Sequence, residues 1–232
     1  YERKIRQKIA DSFEKGLKKS LPKAVQEDTN AMQLFGVEEG ASEPAAYAVC
    51  ALQEYGFQPQ ENEKILYGIF DFGGGTTDFD FGTWQRAPKS MQRRKSYIIK
   101  HFGAGGDRLL GGENLLELLA YHVFKNNEAV LRQHNVQFVQ HPDGEKYCGL
   151  FEGGEALISD SQQAKYNQKQ LVEGLRDLWY GEAFDKTEIG LNLLDTNGQS
   201  VTLKVEIVVE ELVALIRRRI DSGVENFFEA MD

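Results

Sequence analysis

Apolar residues recur every fourth position at Ile5, Ile9, Phe13 and Leu17, in a segment otherwise rich in Lys, Arg and Glu that ends at Leu21 and Pro22. That spacing predicts an amphipathic helix over 3–21. Its Lys-rich side reads as the solvated face of a packing helix rather than as a surface for anionic membranes. Met32, Leu34 and Val37 alternate and predict a short strand. Helical spacing returns from Glu43 to Leu52, dense in Ala, with Ser42 as N-cap, Pro44 in the first turn and Gly56 closing the helix. Ile65 to Phe70 is a continuous apolar run and predicts a buried strand. Phe79, Phe81 and Trp84 alternate with polar neighbours, and Tyr97, Ile98 and Ile99 form a further β-prone run. The basic stretch 86–95 between them reads as a solvated hairpin tip.

A leucine-rich stretch, Leu115 to Phe124, predicts a helix that opens after Gly111-Gly112, and residues 161–180 predict another. Residues 127–160 carry turn signals at Pro142-Asp143-Gly144 and Gly153-Gly154 but no regular period. Ile189, Leu191 and Leu193, then Val201, Leu203, Val205 and Ile207, alternate on either side of Asn197-Gly198, which predicts a β-hairpin. Leu212, Leu215, Ile216, Ile220, Val224 and Phe227 mark a final amphipathic helix. The elements add up to a mixed α/β (α+β) fold.

Composition narrows the function classes. At 232 residues with 41% hydrophobic and 11% aromatic content, the chain buries a real core and is not an acidic disordered tail. A net charge of −9 excludes a surface built mainly for nucleic acid. No run of eighteen apolar residues spans a membrane, so neither nucleic acid nor membrane is an expected partner. Cys50 and Cys148 do not form a secreted disulfide framework, and cytoplasmic location is the expectation. The opening at Tyr1, inside a helical pattern, reads as a segment of a longer protein.

The chemistry is concentrated in Ile69-Phe70-Asp71-Phe72-Gly73-Gly74-Gly75-Thr76-Thr77-Asp78. A strand delivers a carboxylate, then three glycines, two hydroxyls and a second carboxylate. Consecutive glycines let main-chain amides converge on phosphate oxygens, and Thr76 and Thr77 add hydroxyl donors. Asp71 and Asp78 repel a bare phosphate. They fit a hard divalent cation, Mg²⁺, held partly through its own waters. A second glycine-rich segment, Gly103 to Glu113, reads as a strand-to-helix loop, and Gly111-Gly112 at the helix start offer free amides to an anion. Glu43 is a third candidate, a carboxylate at a helix start. Competing motifs fail: no Gly-Lys pair exists for a P-loop, Gly103 to Arg108 breaks G-x-G-x-x-G at its last position, and no G-x-S-x-G elbow is present. His134, His141 and Cys148 lack the close spacing of zinc ligands and read as surface histidines and a free buried thiol.

Together these pieces resemble the actin-like ATPase superfamily, and most closely the seventy-kilodalton heat-shock chaperones of the DnaK type. In that family an Asn-Glu-Pro-Thr-Ala-Ala helix precedes a strand ending Asp-Leu-Gly-Gly-Gly-Thr-Phe-Asp, and a Gly-Asp-Thr-His-Leu-Gly-Gly-Glu-Asp loop and helix follow. The counterparts are Ser42-Glu43-Pro44-Ala45-Ala46, Asp71 through Asp78, and Gly106 through Asn114. The likeness is dense over residues 41–124 and weaker at Val208-Val209-Glu210-Glu211-Leu212, which is similar to the family's Arg-Phe-Glu-Glu-Leu.

The resemblance implies an actin-like, ribonuclease-H-like ATPase lobe that binds ATP or ADP with Mg²⁺. Glu43 and Asp71 would flank the attacking water and the hydrated Mg²⁺. Gly73, Gly74, Gly75 and Thr76 would hold the β- and γ-phosphates, Asp78 would assist with the cation, and Gly112 would pack beside the phosphates. Residues 1–63 would be the tail of a first lobe, 64–106 and 208–232 the inner subdomain of a second, and 107–207 its helix-and-hairpin outer subdomain. That outer part would meet a nucleotide-exchange factor or co-chaperone, and client protein would bind through parts absent here. The family's adenine-contacting helix has no clear counterpart, Glu173 and Arg176 being the nearest candidates. The first phosphate loop and its lysine fall outside the chain, so the segment alone is expected to be nearly inactive. Other readings within reach of the same motif are a sugar kinase or polyphosphate phosphatase, a bacterial actin-type filament protein, and a degenerate lobe kept as an interaction module.

Overall fold

The computed structural model describes residues 3–38, 40, 43–181 and 187–231. Ser42, the expected N-cap, lies outside them. Helix α1 (Arg3–Ser20) forms as its spacing predicts. Its apolar stripe is left uncovered by the described residues, with Phe13 61% exposed. The short helices α2 (Lys23–Gln26) and α3 (Thr29–Leu34) follow. The strand expected over Met32–Val37 is therefore corrected: its first half, through Leu34, is the end of α3, and residues 35–37 form no strand. Asp28 caps α3 by accepting the amides of Asn30 and Ala31 at 2.9 and 3.1 Å. A local Asx cap of this kind outweighs an alternation of only three apolar residues that finds no partner strand.

Helix α4 (Glu43–Glu54) precedes a three-stranded antiparallel sheet of β1 (Lys64–Phe72), β2 (Thr77–Arg86) and β3 (Tyr97–Asp107), with β2 in the centre. β1 is an edge strand, and among its nine residues only Tyr67 is buried, so the buried strand expected at Ile65–Phe70 is also corrected. Its unbroken apolar run has a different cause: alternate residues meet helices on opposite faces. Ile65, Tyr67 and Ile69 pack with Ala48 and Leu52 of α4 and with Trp84. On the other face Phe70, Phe79 and Phe81 gather around Phe227, with ring centroids 4.9–5.6 Å from it. The basic stretch does form the β2–β3 hairpin tip, closed by Ala87 N–H donating to Ser96 O at 3.0 Å.

β3 runs on through Gly103–Asp107, the segment expected to be a loop. Gly105 sits opposite Phe79. A Cβ there would meet the Phe79 ring at 3.1 Å and Ala230 Cβ at 3.2 Å. Glycine here lets the C-terminal end of the chain lie directly on the sheet, and this packing, rather than a ligand, accounts for it.

The rest of the chain builds the larger core. Helix α5 (Gly112–Asn126) lies at its centre, followed by α6 (Glu128–Gln133), α7 (Gly144–Cys148) and the long α8 (Gln162–Trp179). The hairpin of β4 (Glu188–Leu194) and β5 (Ser200–Glu206) packs on α8, and α9 (Val209–Glu229) closes the fold. Leu116, Leu119, Tyr121, Phe124, Leu171, Leu175, Val205 and Leu215 share one cluster. Residues 137–159, which have no sequence period, are held by pairing: Phe138 N–H donates to Leu157 O at 2.8 Å and Ser159 N–H to Phe138 O at 2.9 Å. The β4–β5 turn is wider than a two-residue Asn-Gly reversal. Gly198 is left-handed at φ 80°, and the Asp195 carboxylate accepts the amides of Asn197 and Gln199. No described helix is long and apolar enough to cross a membrane.

Candidate functional site

The β1–β2 connection and the start of α5 form one hydrogen-bonded unit. Gly73 N–H donates to Thr76 O at 2.9 Å and closes the glycine turn. The first amides of α5 then reach across: Gly112 N–H donates to Gly73 O at 3.1 Å and Glu113 N–H to Gly74 O at 2.7 Å. Asn114 adds its side-chain amide to Gly75 O. Gly111 presses against the turn, since a Cβ there would lie 2.7 Å from Thr76 N and 2.8 Å from Gly75 Cα.

These contacts redistribute the expected donors. The amides of Gly112 and Glu113 are taken up in bracing the glycine turn rather than left open for an anion. Thr77, 1% exposed, donates its hydroxyl to Leu110 O at 2.6 Å, which pins the α5 approach to β2. What stays open is the tip. Gly74, Gly75 and Thr76 are exposed, and among the described residues their amides donate to no main-chain carbonyl.

Asp71 and Asp78 face each other directly across the β1–β2 pair. Asp71 is half-buried and Asp78 exposed, and neither meets a cation or hydrogen-bond donor among the described residues. Like charges directly opposed on a sheet are unfavourable, by up to about 1 kcal/mol, unless something positive lies between them. Asp71 follows Ile65, Tyr67 and Ile69 along β1 at alternate positions, so it lies on the face that α4 covers. Glu43, exposed in the first turn of α4, belongs to the same layer. The far end of that helix is tied down by Trp84 Nε1, which donates to Phe57 O at 2.8 Å. No cluster of three His, Cys, Asp or Glu side chains closes on a common point among the described residues. A cation held here keeps most of its ligands from water or from a bound anion.

α8 brings its C-terminal half to the start of α5. Arg176 forms a two-pronged pair with Glu113, both contacts at 2.9 Å, and its Nε reaches Glu173 at 3.0 Å. The Arg176 hydrogen bond holds the Glu113 carboxyl below its usual range. Trp179 stands 4.0 Å from where a Cβ of Gly112 would be. Glu173 and Arg176 therefore lie at the start of α5, the helix that braces the glycine turn.

Sequence reasoning missed the support beneath this unit. Arg219 of α9, 3% exposed, donates to Asp107 at 2.7 Å and to Asp143 at 3.0 Å. Burial acts to raise the Asp107 carboxyl, but the Arg219 hydrogen bond and the Leu109 amide outweigh it and hold it below the ordinary carboxylate range. Nothing in the spacing of residues 107, 143 and 219 marks them as partners. Asn114 was closer to legible, since it directly follows the Gly-Gly-Glu run.

His141, expected at the surface, is 1% exposed. Its Nδ1 accepts the Asp143 amide at 3.1 Å. Its Nε2 is buried with no hydrogen-bond partner among the described residues. Burial, the largest influence, holds the imidazole below its usual pKa and keeps it neutral, although Asp143 pulls the other way. The unfolded chain then binds the extra proton first. The contribution of His141 is complete above the ordinary imidazole pKa of about 6.5 and is lost as pH falls through the lower folded value. We predict that the urea midpoint drops between about pH 7 and pH 5, and that His141→Asn, though less stable at pH 7, loses much of that drop.

No protein-family model matches the chain.

Proposed function

We propose that this chain is a fragment of a DnaK-like ATPase, mainly its second lobe with the tail of the first, contributing phosphate and Mg²⁺ contacts to a nucleotide site completed by the rest of its parent. The observation that carries this reading is the braced glycine turn, with three open amides at its tip beside a carboxylate pair that meets no cationic side chain among the described residues. The amides of Gly74, Gly75 and Thr76, with the Thr76 hydroxyl, would hold β- and γ-phosphate oxygens, while Gly73, Gly111 and Gly112 shape the turn. Asp71 and Asp78 would hold Mg²⁺ through its waters. Glu43 would orient a water on the same layer. The bound Mg²⁺ supplies charge neutralisation for phosphoryl transfer, and this lobe supplies position and fixed donors. Glu173 and Arg176 are candidates for the nucleoside end. The reading carries a cytoplasmic location with it, and exchange factors or co-chaperones as partners of the outer helices.

The test is an amide NMR titration with Mg·ADP. Half a cleft binding at millimolar affinity corresponds to about −4 kcal/mol, within reach of this method. Shifts are expected at Gly74, Gly75 and Thr76, weakened at least tenfold by Asp71→Asn, which removes charge facing the cation. Shifts independent of Mg²⁺ and of Asp71 would overturn the assignment. The second reading, a degenerate lobe used as an interaction module, draws on the occupied amides of Gly112 and Glu113, and silence at the tip amides would favour it.

A further inference from the structure

The glycine turn is braced by α5, but the segment leading into α5 is itself clamped from behind. Asp107 ends β3 opposite Thr77, and its carboxylate accepts the Leu109 amide at 3.0 Å. Leu110, completely buried, fills a notch on α9 opened by Gly223, where any Cβ would collide with its side chain. Gly111 then meets the turn itself. This short run joins α9 to Gly75 and Thr76 through hydrogen bonds and packing contacts.

Arg219 joins that run to a different part of the molecule. Its guanidinium lies between Asp107, at the end of the inner sheet, and Asp143, at the start of α7 among the outer helices. The Tyr147 ring, also on α7, packs 5.4 Å from its Cζ. On the same side, His141 accepts the Asp143 amide, and the Asn114 side chain holds Gly75 O. Asp143 is therefore linked to the turn through Arg219 and Asp107. A single ion pair would serve as a staple for α9. A guanidinium shared between two carboxylates from two parts of the fold does more, because displacing either carboxylate changes how the other is held.

We propose that Arg219 is a positioning residue, coupling the placement of the outer helices at Asp143 to the geometry of the open amides at Gly75 and Thr76. The ligand arm of this inference rests on the nucleotide reading, while the coupling itself is measurable without ligand.

The experiment compares the amide spectra of the 232-residue chain and its Asp143→Asn variant, first without ligand and then with Mg·ADP. Without ligand, Asp143→Asn is expected to shift Gly75 and Thr76, while the remote β4–β5 turn at Asn197 and Gly198 stays unchanged. With Mg·ADP, the variant is expected to bind about tenfold more weakly, within the range seen for mutations along coupled networks. The Arg219 Nε–H signal of the wild-type chain is expected to move as nucleotide is added. Arg219→Lys, which retains the charge but cannot hold both carboxylates, provides the same comparison if Asp143→Asn does not fold. A lowered melting temperature with unshifted Gly75 and Thr76 amides would reduce Arg219 to a structural staple and overturn the proposal. A wild-type chain whose tip amides ignore Mg·ADP overturns the nucleotide reading instead, and the ligand-free shifts still decide the coupling.

Discussion

Gly111→Ala is expected to lower the unfolding free energy by about 3 kcal/mol, at the upper end of overpacking costs. The new Cβ would stand 2.7 Å from Thr76 N and 2.8 Å from Gly75 Cα. Both are main-chain atoms in a turn already held by four hydrogen bonds, so no side-chain rotation relieves the collision. Backbone strain is not the cause, because Gly111 is extended at φ −164°, a conformation any residue adopts. The turn must move away from α5, which breaks the bonds from Gly112 and Glu113 and disorders the tip amides. Gly74→Ala is the control. Nothing lies within 4 Å of a Cβ at Gly74, so stability should change by less than about 0.5 kcal/mol. Urea unfolding of the two variants checks both values. Equal effects would mean that Gly111 does not press on the turn as described.

Asn167→Ala is expected to cost about 4 kcal/mol. The side chain is fully buried, and it reads three main-chain groups at once. Its amide donates to Gln137 O at 2.8 Å and to Leu194 O at 2.9 Å, and its carbonyl accepts Leu194 N–H at 2.7 Å. Alanine leaves those part-buried groups without their side-chain partner, at about 1–3 kcal/mol each. Asn167→Asp separates hydrogen bonding from volume, since it keeps the shape and the acceptor but loses both donors. It should be no more stable than the alanine variant. The loss should also appear locally, as faster amide exchange at Leu194 and along β4.

The two variants act on different halves of the fold, and the difference bears on the proposed function. Asn167 joins α8 to the β4–β5 hairpin and to the 137 segment, far from the glycine turn. Its loss should weaken the outer helices while leaving the Gly74–Thr76 amides near their original shifts until the fold opens. Gly111 lies against the turn, so its loss should disturb those amides first. A chain in which both substitutions perturb the tip equally would have one cooperative unit rather than a braced turn on a separate support.

Local chemistry along the chain was enough to determine a large part of this protein. Four-residue spacing set α1, although the described residues leave its stripe uncovered, and apolar spacing set α5 and α9, whose stripes do face the core. Alternation around a turn set β4 and β5. The character of the candidate site was also readable, since Asp71 through Asp78 hold carboxylates, glycines and hydroxyls within one strand and one turn. Met32–Val37 was misread because three alternating apolar residues weigh less than a capping Asp28.

Tertiary structure alone decided which groups remain free. Thr77 and Gly112 carry suitable donors, but partners at Leu110 and Gly73 occupy them, and no local pattern encodes a hydrogen bond made across the fold. The apolar run of β1 signals two covered faces, whereas its edge position depends on which strands pair with it. Gly105 answers to Phe79 and Ala230, and Arg219 to carboxylates at positions 107 and 143. Such pairs form only when the folded backbone brings distant residues within hydrogen-bond or contact range, so they leave no period for the sequence to display.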